Sequence, residues 1–337
     1  MERGRFILGV GLGLVFLVLS CQVEKPHELR PVEVGVTAYI GEIASFVAKE
    51  KGYFEEEGLD VTIKVNIAGV ESMRQLLAGK IDIAHSSETP FMYALLDSSY
   101  YKGERKGVPQ AFANMILANK NQKIIASQLK HNISNASDLK GKKIGLVKNS
   151  QSEYHFDSFL LENKIEEEEV QLIDMKPERI NQAIRNGEID VAVVWEPHAT
   201  QVLHDMKEDA VEIKTSLTYS TLWLAVALDS YAEENKDIMV AYLKALRKAQ
   251  NYILEHPDYA IKKMTEITGA TETVIRDVRD EIDYVLSLNE RLLILLEWHQ
   301  NWLIKKESIK NNNVFIRDYI NYKPLEEAYP VGVRNNL

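Results

Sequence analysis

The sequence predicts an α/β protein of two similar lobes, and three observations support this fold class. The chain has 337 residues, which suits two lobes that bury a ligand between them better than one ordinary core. Strand patterns alternate with helical patterns through most of the chain, as in parallel sheets covered by helices. The phrase "GKIDIA" at residues 79 to 84 returns as "GEIDVA" at residues 187 to 192, so two halves repeat one local plan.

The first twenty residues differ from the rest and predict a secretory signal peptide. Two arginines precede the uncharged run "FILGVGLGLVFLVLS", which is short for a membrane span and ends just before Cys21. Cys21 is the only cysteine, so a disulfide cannot explain it. The four residues 18–21, "VLSC", resemble the bacterial lipobox, which implies cleavage before a lipid-carrying Cys21 and a tether over residues 21–31. An uncleaved anchor helix with a chance cysteine is the alternative, and either places the body outside the cytoplasm.

The first lobe begins with a strand, a helix and a second strand. Valines alternate at positions 32, 34 and 36, as in a strand, whereas Ile43, Phe46 and Val47 recur at helical spacing. A second alternating run at positions 61, 63 and 65 completes a βαβ unit. The segment "ESMRQLLAGK" then predicts a helix that ends at Gly79, followed by the strand "IDIAH" and a helix that begins at "SSETP".

The middle third repeats this order of elements. The segment "SDLKGKKIGLVKNS" contains a predicted strand at residues 143 to 147, "SEYHFDSFLLENK" is helical and "EVQLIDM" is a strand. Next come the helix "PERINQAIRNGE", the strand "IDVAVVW" and a further helix that opens with "EPHATQVL". In each copy of the repeated phrase, a helix ends at glycine and a buried strand delivers its carboxyl end to the next helix.

Beyond residue 220 the pattern becomes mainly helical. "STLWLAVALDSYA" is strand-like, and helices are predicted at residues 236–257, 257–268, 271–288 and 289–309. The apolar run "LLILLEW" in the last of these helices is too brief to span a membrane, and we interpret the final helices as packing on the first lobe. Crossings between lobes are expected near residues 123–129 and 220–226. The first lobe would then hold residues 32–124 and 222–337, and the second would hold 125–221.

The composition excludes some classes of partner. Hydrophobic residues make up 45% and charged residues 27%, as in a folded soluble protein. The formal net charge is -10, and the positive residues are scattered singly or in short clusters such as "KGKK". Because nucleic-acid binding requires a basic surface, no nucleic-acid partner is expected.

The architecture places a site where the two halves would face each other. In open α/β sheets, ligands bind outside the carboxyl ends of the strands, where helix N-termini offer free N–H groups. Four loops at such ends, two from each half, lie at residues 37–41, 85–87, 149–152 and 195–197. The predicted ligand-binding residues are Thr37, Ala38, Tyr39, Gly41, Ser86, Ser87, Ser150, Gln151, Ser152, Trp195 and Glu196. The serines could instead be plain helix caps.

The chemistry of these loops suits a small oxyanion, because helix ends and hydroxyl groups donate without a counter-charge. No arginine lies in the four loops, which argues against a bidentate carboxylate or phosphate clamp. Four glutamates stand at the same helix starts and are expected to face solvent, where they complement the helix dipole. If Glu153 or Glu196 points inward instead, the ligand should carry an amine or ring N–H, with Tyr39, Tyr154 or Trp195 stacking on a ring.

Neither a metal nor a cofactor is expected. His85, His155 and His198 fall near the inferred site, but they come from separate elements and form no pair spaced at i, i+4. The sequence contains no GxSxG elbow, no phosphate-binding loop, no HExxH motif and no reactive cysteine. We therefore rank a capture protein first, an exported ligand-sensing subunit second, and an enzyme such as a pyrimidine synthase third.

Five segments carry a resemblance to a known family: "VAKEKGYFEEEGLDV", "LLAGKIDIA", "SDLKGKKIG", "GEIDVAVVWEP" and "EHPDYAIKKM". In this order they resemble the signatures of ABC-transporter substrate-binding proteins of the nitrate, sulfonate and taurine type, whose fold the thiamine-precursor binders share. The resemblance spans residues 32 to 265, and "WEP" at 195–197 is its most distinctive piece. It implies a type II periplasmic-binding fold that holds one small solute in the four loops and delivers it to a permease with an ATPase. We expect a monomer, anchored to the membrane by lipid.

Overall fold

The computed structural model describes residues 28–215, 219–306, 309 and 314–333. The predicted signal peptide, Cys21 and most of the tether lie outside the described residues. The tether's last two residues, Arg30 and Pro31, already belong to the first strand. None of the helices within these ranges is long and apolar enough to cross a membrane.

Eleven strands in the described residues form two sheets. The first sheet has six strands in the order β11-β4-β10-β3-β1-β2, and the second has five in the order β7-β6-β8-β5-β9. The strands of the first sheet are β1 (Arg30–Thr37), β2 (Leu59–Asn66), β3 (Ile83–Ser87), β4 (Pro109–Ala118), β10 (Thr221–Leu228) and β11 (Ile282–Ser287). Those of the second are β5 (Gln122–Ser127), β6 (Lys143–Leu146), β7 (Gln171–Asp174), β8 (Val191–Trp195) and β9 (Ala210–Glu212).

The helices cover both sheets. Those between β1 and β5 are α1 (Ile43–Glu50), α2 (Tyr53–Glu56), α3 (Gly69–Leu77) and α4 (Glu88–Leu96). Those between β5 and β9 are α5 (Gln128–His131), α6 (Gln151–Glu162), α7 (Pro177–Asn186) and α8 (His198–Met206). After β10 follow α9 (Asp229–Glu234), α10 (Lys236–Glu255), α11 (Pro257–Thr268), α12 (Glu272–Val278), α13 (Glu290–Lys305) and α14 (Lys323–Ala328).

The two sheets share one topological plan, as the repeated phrase predicts. In the first sheet β2, β1 and β3 are parallel neighbours, and β10 pairs antiparallel with β3. In the second sheet β7, β6 and β8 are parallel neighbours, and β5 pairs antiparallel with β8. In each sheet, the strand that pairs antiparallel with the parallel group is therefore the strand that follows a crossing of the chain from the other sheet.

The repeated phrase has the same role in both lobes. Its glycines, Gly79 and Gly187, have φ values of 66° and 75°, which let the preceding helix end in a left-handed turn. Its aspartates accept backbone N–H groups of the neighbouring strand: Asp82 from Glu33 at 2.8 Å, and Asp190 from Lys143 at 2.8 Å. The repeated residues thus end a helix and fasten one strand to the next.

The crossings lie a few residues earlier than the predicted positions. The chain leaves β4 at Ala118 and enters β5 at Gln122, and it returns between Glu212 and Thr221. The segments 123–129 and 220–226, where the crossings were expected, lie largely inside strands β5 and β10. The apolar residues of these two segments belong to the strands, and the chain crosses before them.

The helix predicted over residues 271–288 is wrong in its second half. Helix α12 ends at Val278, and residues 282–287 form β11, which pairs antiparallel with β4 at the edge of the first sheet. Ile282, Tyr284 and Leu286 are buried and alternate with more exposed residues. This period of two indicates a strand, and the charged residues before it concealed the change of period. Strands β4, β5 and β9 were not predicted as strands.

Helix α13 of the first lobe also packs on α6 of the second lobe. The rings of His299 and Tyr154 stack with centroids 3.9 Å apart, and Trp302 meets Tyr154 edge to face at 5.1 Å. Trp302 Nε1 donates to Asp157 Oδ2 at 3.0 Å, and Lys306 Nζ lies 2.6 Å from the same oxygen. The lobes are therefore joined through helix contacts as well as through the two crossings.

Candidate functional site

The predicted loops converge on a cavity between the two sheets, which we call the interlobe cavity. Its unfilled space, which includes the part open to solvent, is about 380 Å³. It is lined by Thr37, Tyr39, Ala68, Gly69, Val70, Ser87, Pro90, Asn121, Gln122, Ser150, Gln151, Trp195, Thr221 and Trp223. Six of these were predicted from the sequence, and all four predicted loops contribute at least one of them.

Three predicted residues of the first lobe lie outside this lining. Ala38 is half-buried and does not line the cavity, and Ser86 packs against the lining residue Gly69. Gly41 lies beneath the Tyr39 ring, where an added Cβ would come within 2.3 Å of that ring. Gly41 therefore permits the position of Tyr39 and does not itself reach the cavity.

Two predicted residues of the second lobe also lie outside the lining. Ser152 is fully buried and donates its hydroxyl to Gln122 Oε1 at 3.0 Å. Glu196 forms a buried ion pair with Lys123 and accepts the backbone N–H of Thr200, in the first turn of α8, at 2.9 Å. Both residues support the cavity wall from behind.

Several lining residues were missed by sequence reasoning. Gly69 and Val70 begin α3, directly after the carboxyl end of β2, and the rule that found the four loops would have found this fifth one. Asn121 and Gln122 lie at the first crossing, and Trp223 lies on β10 just after the second. The sequence carries no signal for these three, because their position depends on how the lobes face each other.

Three aromatic rings form much of the cavity wall. Tyr39 and Trp223 come from the first lobe and pack with ring centroids 5.0 Å apart, and Trp195 comes from the second lobe. The Tyr39 hydroxyl donates to Asn121 Oδ1 at 2.9 Å, and burial raises the pKa of Tyr39, so the hydroxyl keeps its proton. The wall can therefore pack against an apolar or aromatic part of a ligand.

Neutral donors face the same space. Thr37 Oγ1 is buried and has no hydrogen-bond partner in the described part of the chain. Helix α3 begins after Ala68, which provides no side-chain cap, so no cap side chain occupies the N–H groups of the lining residues Gly69 and Val70. No side chain in the lining set carries a formal charge. The cavity can thus receive an oxyanion or a neutral acceptor through uncharged donors.

The serines divide between the two predicted roles. Ser150 caps α6, because its hydroxyl accepts the backbone N–H of Ser152 at 3.1 Å. Ser87 stands at the start of α4 but makes no side-chain cap hydrogen bond. Both line the cavity, and only the hydroxyl of Ser87 is not committed to its own helix.

Gln151 bridges the lobes across the cavity. Its Nε2 donates to Glu88 Oε1 at 3.1 Å and to Thr221 Oγ1 at 2.7 Å, both in the first lobe. Its Oε1 accepts from Gln122 Nε2 at 3.1 Å. Because the amide is committed to protein partners, Gln151 holds the lobes together and shapes the cavity.

The expectation that the glutamates at the helix starts face solvent is wrong. All four are buried, at most 5% exposed, and none lines the cavity: Glu42, Glu88, Glu153 and Glu196. Glu153 lies 3.0 Å from Lys306 and accepts the backbone N–H of Asn149 at 2.6 Å. The alternative, in which Glu153 or Glu196 points at the ligand, also has no support in this geometry.

The buried carboxyl of Glu88 makes the stability of the protein depend on pH. Burial raises the pKa of Glu88 to about 7, and hydrogen bonds from Tyr219, Leu222 and Gln151 offset only part of that rise. Tyr219 lies on the second crossing and also contacts His299 Nε2 at 3.2 Å. Burial lowers the pKa of His299 to about 4, so the imidazole is neutral at pH 7.

The three histidines near the site are not arranged as metal ligands. His85 is bonded to Glu42 and Tyr242, and burial lowers the pKa of His155 to about 4 and that of His198 below its usual value. Among the described residues, no group of three His, Cys, Asp or Glu side chains is placed to hold a metal ion.

Comparison with known proteins gives a family match and a fold match. A family model described as NMT1/THI5 like matches residues 41–260. The solved alkanesulfonate-binding protein of Xanthomonas axonopodis pv. citri, bound to MOPS, superposes with a TM-score of 0.74 at 15% identity. The match covers 88% of this chain and 99% of that one, and it confirms the predicted periplasmic-binding-protein fold.

Relatives of known sequence bear names of binding proteins. A Bacillus subtilis (strain 168) protein, provisionally named an aliphatic sulfonates-binding protein, is 26% identical over 82% of each chain. The taurine-binding periplasmic protein of Escherichia coli (strain K12) is 25% identical over 68% of this chain and 71% of its own. The formylaminopyrimidine-binding protein of Halalkalibacterium halodurans is 25% identical over 88% of this chain and 86% of its own.

Proposed function

The chain belongs to the NMT1/THI5-like family, and from this premise we propose that it is the extracytoplasmic solute-binding component of an ABC importer. The observation that carries the proposal is the cavity between two sheets, lined from both lobes and closed by a hydrogen-bonded bridge at Gln151. The sulfonate- and taurine-binding names of its relatives support the same role. The protein binds its solute without transforming it and delivers it to permease and ATPase subunits.

The solute that we propose first is a small sulfonate-like oxyanion. Thr37, Ser87 and the N-terminus of α3 supply uncharged donors, while Trp195, Trp223 and Tyr39 cover an apolar body. Ligand contact is proposed for the lining residues Thr37, Tyr39, Gly69, Ser87, Asn121, Ser150, Trp195 and Trp223. Because no carboxylate lines the cavity among described residues, an added ammonium group would find no counter-charge, so ethanesulfonate should bind more tightly than taurine.

A heteroaromatic pyrimidine is the second candidate. Three aromatic rings line the cavity, as stacking on a flat ring requires, and one relative is named for formylaminopyrimidine. A thermal-shift screen of ethanesulfonate, taurine, nitrate, bicarbonate and formylaminopyrimidine separates the candidates, because stabilisation follows the ratio of ligand concentration to Kd. Stabilisation by formylaminopyrimidine alone would replace the first candidate with the second. No stabilisation by any of them would contradict solute capture of either kind.

Binding is proposed to shift the two lobes from an open to a closed arrangement. Only the closed arrangement brings Ser87 and Trp223 of the first lobe opposite Ser150 and Trp195 of the second. A ligand that touches both sets therefore favours closure by its differential affinity for the two states. The same closure could serve an exported sensing subunit. A permease gene beside this one favours uptake, and a lone histidine kinase gene favours sensing.

Replacing Trp195 by alanine should weaken binding by about 10- to 100-fold, because the indole is a buried wall of the cavity. Titration calorimetry with the tightest ligand of the screen measures the change. Trp298→Ala is the matched control, since Trp298 is 53% exposed on α13, and its affinity should equal that of the wild type. Equal affinity of Trp195→Ala and the wild type would remove Trp195 from the site.

We also propose that Cys21 carries a lipid that anchors the mature protein, as a monomer, to the outer face of the cell membrane. The support is the sequence "VLSC" after an apolar run. Cys21→Ser should abolish lipid attachment and move the protein from the membrane fraction to the soluble fraction, as followed by immunoblot. Unchanged partitioning of Cys21→Ser would contradict the lipid anchor and favour an uncleaved helix.

A further inference from the structure

The indole of Trp223 reaches the cavity from an irregular point of strand β10. The pairing of β10 with β4 shifts register between Leu222 and Leu224, so Trp223 has no partner on β4 at this point. Its backbone N–H donates instead to the side chain of Asn114, 3.0 Å from Oδ1. On its other side β10 keeps a regular register with β3, so that Trp223 lies directly opposite Ser87 and both residues line the cavity.

A buried carboxylate holds the far side of that indole. Glu42 is 1% exposed, and its Oε2 accepts the Trp223 Nε1–H at 2.5 Å. Its Oε1 accepts from His85 Nδ1 at 2.7 Å and from the Ser45 hydroxyl at 2.5 Å. Three donors therefore surround one carboxylate, and one of them belongs to a cavity residue.

The hydrogen bonds of this cluster fit one set of proton positions. His85 Nδ1–H can donate to Glu42, and His85 Nε2 then accepts the Tyr242 hydroxyl, 3.0 Å away. Tyr242 and His85 are both buried, on α10 and β3 respectively. In this arrangement the bonds lead from Tyr242 through His85 to Glu42, and they hold the carboxylate in place.

We propose that Glu42 is a positioning residue, which holds the Trp223 indole in one orientation so that the solute meets a preformed cavity wall. The inference deepens the proposed function and rests on it for its effect on affinity. A hydrogen bond to a charged acceptor is stronger than one to a neutral acceptor, so loss of the charge releases the ring. A wall that must be ordered during binding weakens affinity, because its rotamer freedom is lost at that moment.

The orientation of Trp223 is measured without any ligand. The chain has four tryptophans, so a ¹⁵N-labelled sample shows four indole N–H resonances, and Trp223→Phe assigns the one of interest. In Glu42→Gln we expect the Trp223 resonance to shift, to broaden or double, and to exchange with solvent at least about tenfold faster. The Trp302 resonance is the internal reference, because Trp302 donates to Asp157 and not to Glu42. Ser45→Ala removes another donor to Glu42 and should leave the Trp223 resonance single.

Affinity for ethanesulfonate provides the second measurement. Glu42→Gln, which keeps the shape of the side chain, should bind it about 5- to 50-fold more weakly with little change in Tm, whereas Ser45→Ala should bind as the wild type does. An unchanged Trp223 resonance in Glu42→Gln would overturn the proposal, and so would a changed resonance with unchanged affinity. If the wild type fails to bind ethanesulfonate, the first ligand candidate fails, and the resonance alone decides the role of Glu42.

Discussion

Replacing Lys306 by methionine is expected to lower the free energy of unfolding by about 3 kcal/mol. Lys306 Nζ lies 2.6 Å from Asp157, 3.0 Å from Glu153 and 3.1 Å from Glu167. The side chains of Asp157 and Glu153 are only 12% and 6% exposed, so the substitution leaves two buried carboxylates without this cation. Breaking a buried ion pair on one side costs several times more than losing a pair at the surface.

The pKa values agree with a strong interaction. Burial alone would lower the pKa of Lys306, but the charges of Glu153 and Asp157 outweigh burial and raise it. Burial raises the pKa of Asp157 in spite of Lys306. Without the lysine, Asp157 and Glu153 must either remain charged and unpaired or take up protons, and both outcomes reduce stability at neutral pH.

Urea unfolding at pH 7.5 measures the loss. Lys305→Met is the matched control, because Lys305 is exposed on the same turn of α13, and its effect should stay below about 1 kcal/mol. The double variant Lys306→Met with Asp157→Asn should recover part of the loss, because the amide oxygen still accepts the Trp302 N–H without a charge. If Lys306→Met and Lys305→Met destabilise equally, α13 is not fastened to α6 by charge.

Much of the fold is predictable because its strands and helices differ in period. In the first βαβ unit, valines at alternate positions and apolar residues at helical spacing place β1, α1 and β2 correctly. Prediction fails where a pattern covers only a few residues. The six residues of β11 follow a charged helix and were predicted as part of that helix. The repeated phrase predicted the shared topology, because its glycine and aspartate make the same contacts in both lobes.

The site was predictable only where it depends on strand ends. Thr37, Ser87 and Trp195 are the last residues of parallel strands, and Ser150 follows the turn after another, so the rule for α/β sheets finds them. Trp223 lies on an antiparallel strand at a bulge, which nothing in the local sequence marks. The residues around a helix start also do not show which way its side chains point. The four glutamates are buried because residues distant in sequence bond to them.

Glu88 should make the protein less stable as pH rises from about 4.5 to about 7, by about 3 kcal/mol in total. The pKa of Glu88 is about 7 in the folded protein, against 4.5 as the ordinary value, because burial disfavours the charged form. Below pH 4.5 both states hold the proton, and the contribution to stability is complete. Between the two values the unfolded chain releases the proton and the folded chain keeps it, so stability falls, and above pH 7 the contribution is lost.

The variant Glu88→Gln isolates this effect, since glutamine keeps the shape and does not titrate. We expect the unfolding free energy of the wild type, relative to that of Glu88→Gln, to fall by about 3 kcal/mol from pH 4.5 to pH 8. Glu290→Gln is the matched control, because Glu290 is also the first residue of its helix but is exposed, and its difference should stay flat. A flat difference for Glu88→Gln as well would mean that Glu88 titrates as a solvated carboxyl, and its bonds to Gln151 and Leu222 would then not respond to pH.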